Sequence, residues 1–301
     1  MASDPTGIRF RIARGDVHAE ITQVGAALRV LDVGGVALVP PYPDTAPTPA
    51  AAGIVLLPWP NRVAGGRWTR DGVTRQLAIT EPAYGNASHG LLRFVPYQPV
   101  VQESDRITLA ATVFPQTGYP FQLDSTVDYR VGPAGLTVTH EVVNAGADAA
   151  PFALGTHPYL QLGGVRTADL TIRLDAQTRF EVDDRLIPVA QTPVDAATDL
   201  RSPRRLGDLS LDTAYGDLAR DADGRVRTTL TAPDGRAVEL WQGEGFDYVQ
   251  VFTTDRFPGQ ELAVAVEPMT APADAFNTGQ GLVVLAPGES RRAQWGIDYR
   301  R

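Results

Sequence analysis

The chain has 301 residues, 43% of them hydrophobic, with 29 Gly and 24 Pro, a length that suits one large domain or two average ones. A formal charge of −8 argues against a nucleic-acid partner, which usually needs a basic face. There is no cysteine, and all 27 basic residues are arginine. Thiol nucleophiles, disulfides, Cys-based zinc sites, Schiff-base lysines and the P-loop lysine are therefore excluded. Proton transfer falls to His, Asp, Glu or Tyr.

The amino-terminal MASDPTGIRFRIARGD lacks the basic-then-apolar layout of a secretory signal, and no apolar run is long enough to span a membrane. The expectation is a soluble, cytoplasmic protein. Strand-like alternation begins at 8–12 (IRFRI), and residues 36–60, rich in Pro and Ala, read as a loop folded over one sheet. Alternation returns at 107–113 and 136–143. The pairs Asp71-Gly72, Asp223-Gly224 and Asp234-Gly235 are turn signals between strands. Helical periodicity is weak; 199–206 or 212–218 could form at most a turn. No internal repeat or linker divides the chain. The reading is all-β: a single large antiparallel β-sandwich over 1–301 with few short helices.

No G-x-S-x-G, G-x-G-x-x-G or H-E-x-x-H pattern occurs, and the four histidines (His18, His89, His140, His157) share no ligand-like spacing. No metal site is expected. What remains is a set of polar residues framed by Gly and Pro. In GTHPYL, His157 precedes a proline, which disfavours the helical region and holds the residue extended. In VAVEPM, Glu267 ends an apolar run before Pro268, where desolvation would raise its pKa and make it a better base near neutrality, unless it is an edge-strand glutamate facing water. Pro58-Trp59-Pro60-Asn61-Arg62 reads either as a rigid turn or as an aromatic and guanidinium wall for a polar ligand, and Ser88-His89-Gly90 is similarly open. His18 and His140, within strand-like runs, read as exposed or satisfied. His157 and Glu267 together make a general acid and base that need no cofactor.

The segments LPWPNRVAGG (57–66), HGL (89–91), GTHPYL (155–160) and VEPMT (266–270) resemble, in order, those of the aldose 1-epimerase (mutarotase) family. Weaker echoes are GYPF (118–121), NAG (144–146), DAFN (274–277) and PGE (287–289), so the resemblance runs from about the twenties to the carboxyl end. It implies a β-supersandwich with an open cleft, no cofactor, and interconversion of the α and β anomers of free aldoses of the galactose and glucose type. It further implies Glu267 as the base taking the C1 hydroxyl proton and His157 as the acid protonating the ring oxygen. Arg62 and His89 would bind sugar hydroxyls. For the family's acidic sugar ligand, Asp212 in LDTAY fits best; its alternative role is a helix cap, and Asp217 is the alternative ligand. Asn61 belongs to the same proposed sugar site, and Trp59 or Phe276 would offer an apolar face to the ring unless they are core. Leu160 stands where the family more often has phenylalanine.

Three rivals follow. A hexose-6-phosphate epimerase of the same fold would need arginines such as Arg93 or Arg67 around the C6 end. A non-catalytic sugar-binding module would not need both His157 and Glu267, and a glycosidase would want two carboxylates flanking the bond. The expected partner is a small-molecule sugar, with no nucleic acid and no membrane, bound by a monomer or homodimer. The geometric expectation is that imidazole 157 and carboxylate 267 face each other across a space as wide as one pyranose.

Overall fold

The computed structural model describes residues 4–301. Two large antiparallel sheets carry the chain. The nine-stranded sheet runs in the order Gln98–Gln102, Arg106–Val113, Leu123–Val131, Gly135–Asn144, Ser290–Arg300, Ala237–Gln242, Val226–Thr231, Thr171–Leu174, Arg204–Arg205. The eight-stranded sheet runs Pro188–Pro193, Ala176–Val182, Asp212–Leu218, Tyr248–Thr254, Ala263–Met269, Gly155–Thr156, Val55–Leu56, with Tyr159–Leu160 also paired to Ala263–Met269. A four-stranded sheet is built from Arg9–Arg14 through Val36–Ala37, and the only α-helix among the described residues is the four-residue Ala275–Thr278.

Period-two alternation sets which side chains enter the core. One hydrophobic cluster takes Val127, Val138, Leu240 and Ile297 from the larger sheet and Val249, Val251, Val264 and Val266 from the smaller. The residues between these on the smaller sheet, Gln250, Phe252, Ala265 and Glu267, therefore face the other way. That alternation creates the polar face on which the candidate site is built.

The strands expected at 8–12, 107–113 and 136–143 are found at Arg9–Arg14, Arg106–Val113 and Gly135–Asn144. Asp71-Gly72 closes a hairpin with both residues at positive φ (52° and 74°), the conformation that matches strand twist. Asp234-Gly235 also turns a hairpin, whereas Asp223-Gly224 links strands of different sheets. Residues 36–60 are only partly loop: Val36–Ala37 and Val55–Leu56 join sheets, and Pro49–Ala51 forms one 3-10 turn. The helical turn considered for 212–218 is instead a strand, because Asp212–Leu218 pairs with neighbours on both sides and places Tyr215 in the core. Within 199–206 the chain bends at 201–202, forms the short Arg204–Arg205 strand and at its end enters a single 3-10 turn, Leu206–Asp208.

Candidate active site

A cavity of about 750 Å³ opens on the polar face of the eight-stranded sheet, lined by Asn61, Arg62, His89, His157, Asp212 and Glu267 among others. Its floor follows from strand register. Gln250 lies directly opposite Glu267, and Ala214 directly opposite Gln250. Asp212, two residues before Ala214, shares its face and stands diagonal to Gln250. On the other side, pairing of Gly155 with Met269 and Tyr159 with Ala265 brings His157 in line with Glu267. One row across the sheet thus carries His157, Glu267 and Gln250, with Asp212 at its end.

His157 is held by its own backbone. Its N–H donates to Ile54 O (3.2 Å) and its carbonyl accepts from Gly53 N–H (2.8 Å). Pro158 cannot continue the ladder, but its carbonyl accepts from Val266 N–H at 3.0 Å. Gly155 is required by close approach: a Cβ there would lie 2.7 Å from Pro60 Cβ. The imidazole stacks on Tyr159 (centroids 5.3 Å apart) and meets His89 edge-on at 5.5 Å.

His157 Nε2 stands 3.3 Å from Glu267 Oε1, with both side chains almost fully buried. Burial, and then the cations Arg93 and Arg62, hold the His157 pKa down at about 3. Burial, reinforced by the Asp212 charge and opposed by Arg62, pushes the Glu267 carboxyl well above its usual range. Both shifts have one leading cause: burial among protein atoms disfavours charge on either group. Burial thus favours the neutral form of each group, imidazole beside carboxylic acid. Glu267 Oε2, His157 Nδ1 and His89 Nδ1 are buried without hydrogen-bond partners among the described residues.

Glu267 sits inside a strand paired on both sides, which rules out the water-facing edge reading. The two groups stand side by side in contact and do not face each other across a pyranose-wide gap, as the sequence suggested. A shared wall suits the reaction that the sequence resemblance implies, because the C1 hydroxyl oxygen and the ring oxygen are bonded to the same carbon.

Arg62 is fixed by a two-point pairing with Glu81, Nε to Oε2 at 2.8 Å and Nη2 to Oε1 at 2.9 Å. It also donates to Asn61 Oδ1 (3.2 Å), Asn61 Nδ2 donates to Gln250 Oε1 (3.3 Å), and Gln250 Nε2 donates to Asp212 Oδ1 (2.5 Å). This chain from Glu81 to Asp212 fixes the polar groups of the cavity relative to one another. Glu81 and Gln250 escaped the sequence reading; Gln250 was detectable only as the polar residue in the alternating run YVQVF (248–252).

His89 adopts φ +61° and its N–H donates to Asn61 O at 2.8 Å, while Gly90 follows at φ +72°, where a Cβ would strike Leu57 O at 2.2 Å. Burial, with His157 and two arginines nearby, lowers the His89 pKa well below normal. Asp274 accepts from Ala64 N–H (2.9 Å) and from Asn277 Nδ2 (2.7 Å), so the DAFN segment clamps the loop that carries Arg62.

Several assignments change. Trp59 and Phe276 do not line the cavity: they meet edge-on at 5.7 Å inside the hydrophobic core, where aromatic packing of Phe276 on Trp68 and Tyr119 holds them. The aromatic rings at the cavity are Tyr84 and Phe252. Asp217 lies in a separate depression with Gln191, Arg220 and Gln280, where it accepts from Thr178 and Gln191. Arg67 lies outside the cavity; Arg93 lines it. His140 is buried and accepts the Trp295 indole N–H at 2.9 Å, a structural role, while His18 is exposed. Among the described residues no group of three or more His, Asp or Glu is placed to hold a metal ion, and no helix is long and apolar enough to cross a membrane.

Two antiparallel sheets sharing a core, with a polar cavity on the smaller one, define a galactose mutarotase-like β-sandwich. The structure superposes on a GalM/aldose epimerase homologue from C. elegans with a TM-score of 0.84 at 18% identity, covering 98% of this chain and 99% of that one. A putative aldose 1-epimerase from Escherichia coli K12 gives 0.83 at 19% identity, covering 97% and 99%. Galactose 1-epimerase from Lactobacillus acidophilus NCFM gives 0.78 at 19% identity, covering 96% and 92%. The sequence pattern of aldose 1-epimerases matches residues 9–298. The chain belongs to the aldose 1-epimerase family, a family of sugar isomerases. It is 33% identical over 299 residues to the uncharacterized protein YihR of Escherichia coli K12, spanning 98% of this chain and 94% of that protein.

Proposed function

We propose that this chain is an aldose 1-epimerase that interconverts the α and β anomers of an aldopyranose by acid/base ring opening, with Glu267 as base and His157 as acid. The observation that carries the reading is the 3.3 Å contact between His157 Nε2 and Glu267 Oε1 on the wall of a cavity of about 750 Å³, a volume within the range of small-ligand sites.

Transfer of the carboxyl proton from Glu267 to His157 produces a carboxylate and an imidazolium without changing the proton count. The carboxylate takes the C1 hydroxyl proton, the ring C–O bond breaks, and the imidazolium protonates the released ring oxygen. Glu267 is again protonated and His157 neutral, so the open aldehyde faces the pair in its resting form. Rotation about C1–C2 presents the other carbonyl face. His157 then removes the C5 hydroxyl proton as that oxygen attacks C1, and Glu267 protonates the carbonyl oxygen. The burial that disfavours the ion pair makes it short-lived and reactive. Arg62, His89, Asn61 and Asp212 hold the hydroxyls, and Phe252 or Tyr84 offers an apolar face.

The test is the approach to anomeric equilibrium of freshly dissolved α-glucose, α-galactose and glucose 6-phosphate, followed by polarimetry or one-dimensional NMR. Acceleration of at least one is expected. Acceleration of none would leave a sugar-binding protein and end the catalytic reading.

A further inference from the structure

At the Asp212 end of the row the cavity is walled by a segment that the ring-opening chemistry does not use. The turn between strands Ala176–Val182 and Pro188–Pro193, at the edge of the eight-stranded sheet, carries Leu186 onto the cavity wall. Hydrogen bonds within the turn fix its shape. Asp183 Oδ1 accepts from the N–H groups of Arg185 and Ile187 (2.9 Å each), Asp183 N–H donates to Ile187 O (2.9 Å), and Leu186 N–H donates to Asp183 O (2.9 Å). Leu186 sits at φ +60°, a left-handed conformation that glycine adopts freely and leucine only where its surroundings impose it.

The neighbouring Arg185 ties this turn to a second wall of the cavity. Its Nε donates to Tyr84 O (3.0 Å) and its Nη2 to Gly85 O (2.8 Å) and Asn86 Oδ1 (3.2 Å). The fully buried Asn86 answers with Nδ2 donating to Arg185 O (2.7 Å). These bonds latch together segments 99 to 101 residues apart in the chain. The segment so latched holds Glu81, which fixes Arg62, and Tyr84, which lines the cavity.

Little space lies behind Leu186. Asn61, Arg62, Leu186, Asp212 and Gln250 line both the cavity and an adjoining recess of about 10 Å³ backed by Phe180, room for one water-sized group. The row order decides which part of a sugar meets it. With His157 at the ring oxygen and Glu267 at the C1 hydroxyl, C2 lies on the far side of C1 from the ring oxygen. Its substituent therefore points along the row, toward Gln250, Asp212 and the recess.

We infer that Leu186, set in place by the Arg185–Asn86 latch, limits the C2 substituent to the size of a hydroxyl, so that 2-hydroxy aldopyranoses are substrates and 2-acetamido sugars are rejected. The placement of C2 rests on the catalytic reading above. Arg185 is a positioning residue that acts through Leu186. The test measures kcat/KM, and by calorimetry Kd, for glucose, galactose, N-acetylglucosamine and N-acetylgalactosamine with wild type, Leu186→Gly, Arg185→Ala and Arg185→Lys. Wild type should favour each parent sugar over its 2-acetamido form by about thirtyfold or more. Leu186→Gly, which the positive φ accommodates, should lower that ratio by about tenfold by admitting the acetamido group. Arg185→Ala should lower it in the same direction, through KM more than kcat, with Arg185→Lys keeping part of the selectivity; a plain loss of stability would reduce turnover of both sugars alike. Equal use of parent and acetamido sugars by wild type, or a ratio unmoved in Leu186→Gly, overturns the inference and leaves the epimerase reading intact. A Kd ratio that shifts in Leu186→Gly while no sugar is accelerated ends the epimerase reading and supports the wall, and neither turnover nor binding of any of these sugars overturns both.

Discussion

Glu267→Gln separates catalysis from stability. Glutamine has nearly the same shape and can keep a contact with His157, but it cannot accept the C1 hydroxyl proton. General base catalysis contributes about 10²–10⁴-fold, so kcat should fall by at least about a hundredfold. Stability should move the other way. The carboxyl is 2% exposed and its pKa is raised well above normal, so above the ordinary carboxylate range the folded state keeps a proton that the unfolded chain releases. That mismatch is a penalty on folding that grows as pH rises above the ordinary carboxylate range and levels off at the folded pKa. Each pH unit is worth about 1.4 kcal/mol, which caps the penalty near 4 kcal/mol at pH 7. Glutamine removes it, and a gain of even a quarter of that ceiling would raise Tm by roughly 2–4 °C. The assays are polarimetric or NMR mutarotation beside thermal unfolding at pH 7. A variant with kcat within threefold of wild type would refute Glu267 as the base. One that unfolds several degrees earlier would refute the claim that the carboxyl is buried and protonated.

His157→Asn should lower kcat by about a hundredfold or more while the circular dichroism spectrum stays native; turnover near wild type would remove the acid assignment. The pH–rate profile should be a bell whose limbs belong to the pair as a unit. An added proton leaves imidazolium beside carboxylic acid with no base, and a lost proton leaves carboxylate beside neutral imidazole with no acid. Because burial holds His157 at about 3 and raises Glu267, activity should persist well below the usual imidazole range and fail on the alkaline side above the usual carboxylate range; an acid limb at about pH 6.5 would contradict this. Arg62→Ala should act mainly through a raised KM, by about tenfold or more, and an unchanged KM would move the hydroxyl ligand elsewhere. His140, held by burial at about 3 against 6.5 unfolded, contributes stability that is complete above pH 6.5 and declines as pH falls toward 3. Wild type should lose about 2 kcal/mol through this residue between pH 7 and 5, so urea titrations of His140→Gln should show a loss over that range smaller by about that amount.

The local grammar of the chain was legible without coordinates: period-two alternation with Gly and Pro punctuation specifies antiparallel strands, and the proline after His157 and after Glu267 specifies stiff, extended backbone at both. The quoted motifs pointed to the right family for the same reason, since each encodes a backbone constraint, such as the close approach at Gly155 or the positive φ at Gly90. Which face each side chain takes, and what stands next to it, depended on strand register between separate segments, as far apart in the chain as Gly155 and Met269. Register placed His157 beside Glu267, brought Gln250 and Asp212 into the same row, made 212–218 a strand, and sent Trp59 and Phe276 into the core. Burial, which alone turns an ordinary imidazole and carboxyl into a neutral pair, is a property of the packed whole. No short stretch of sequence carries it, because desolvation comes from neighbours that only folding supplies.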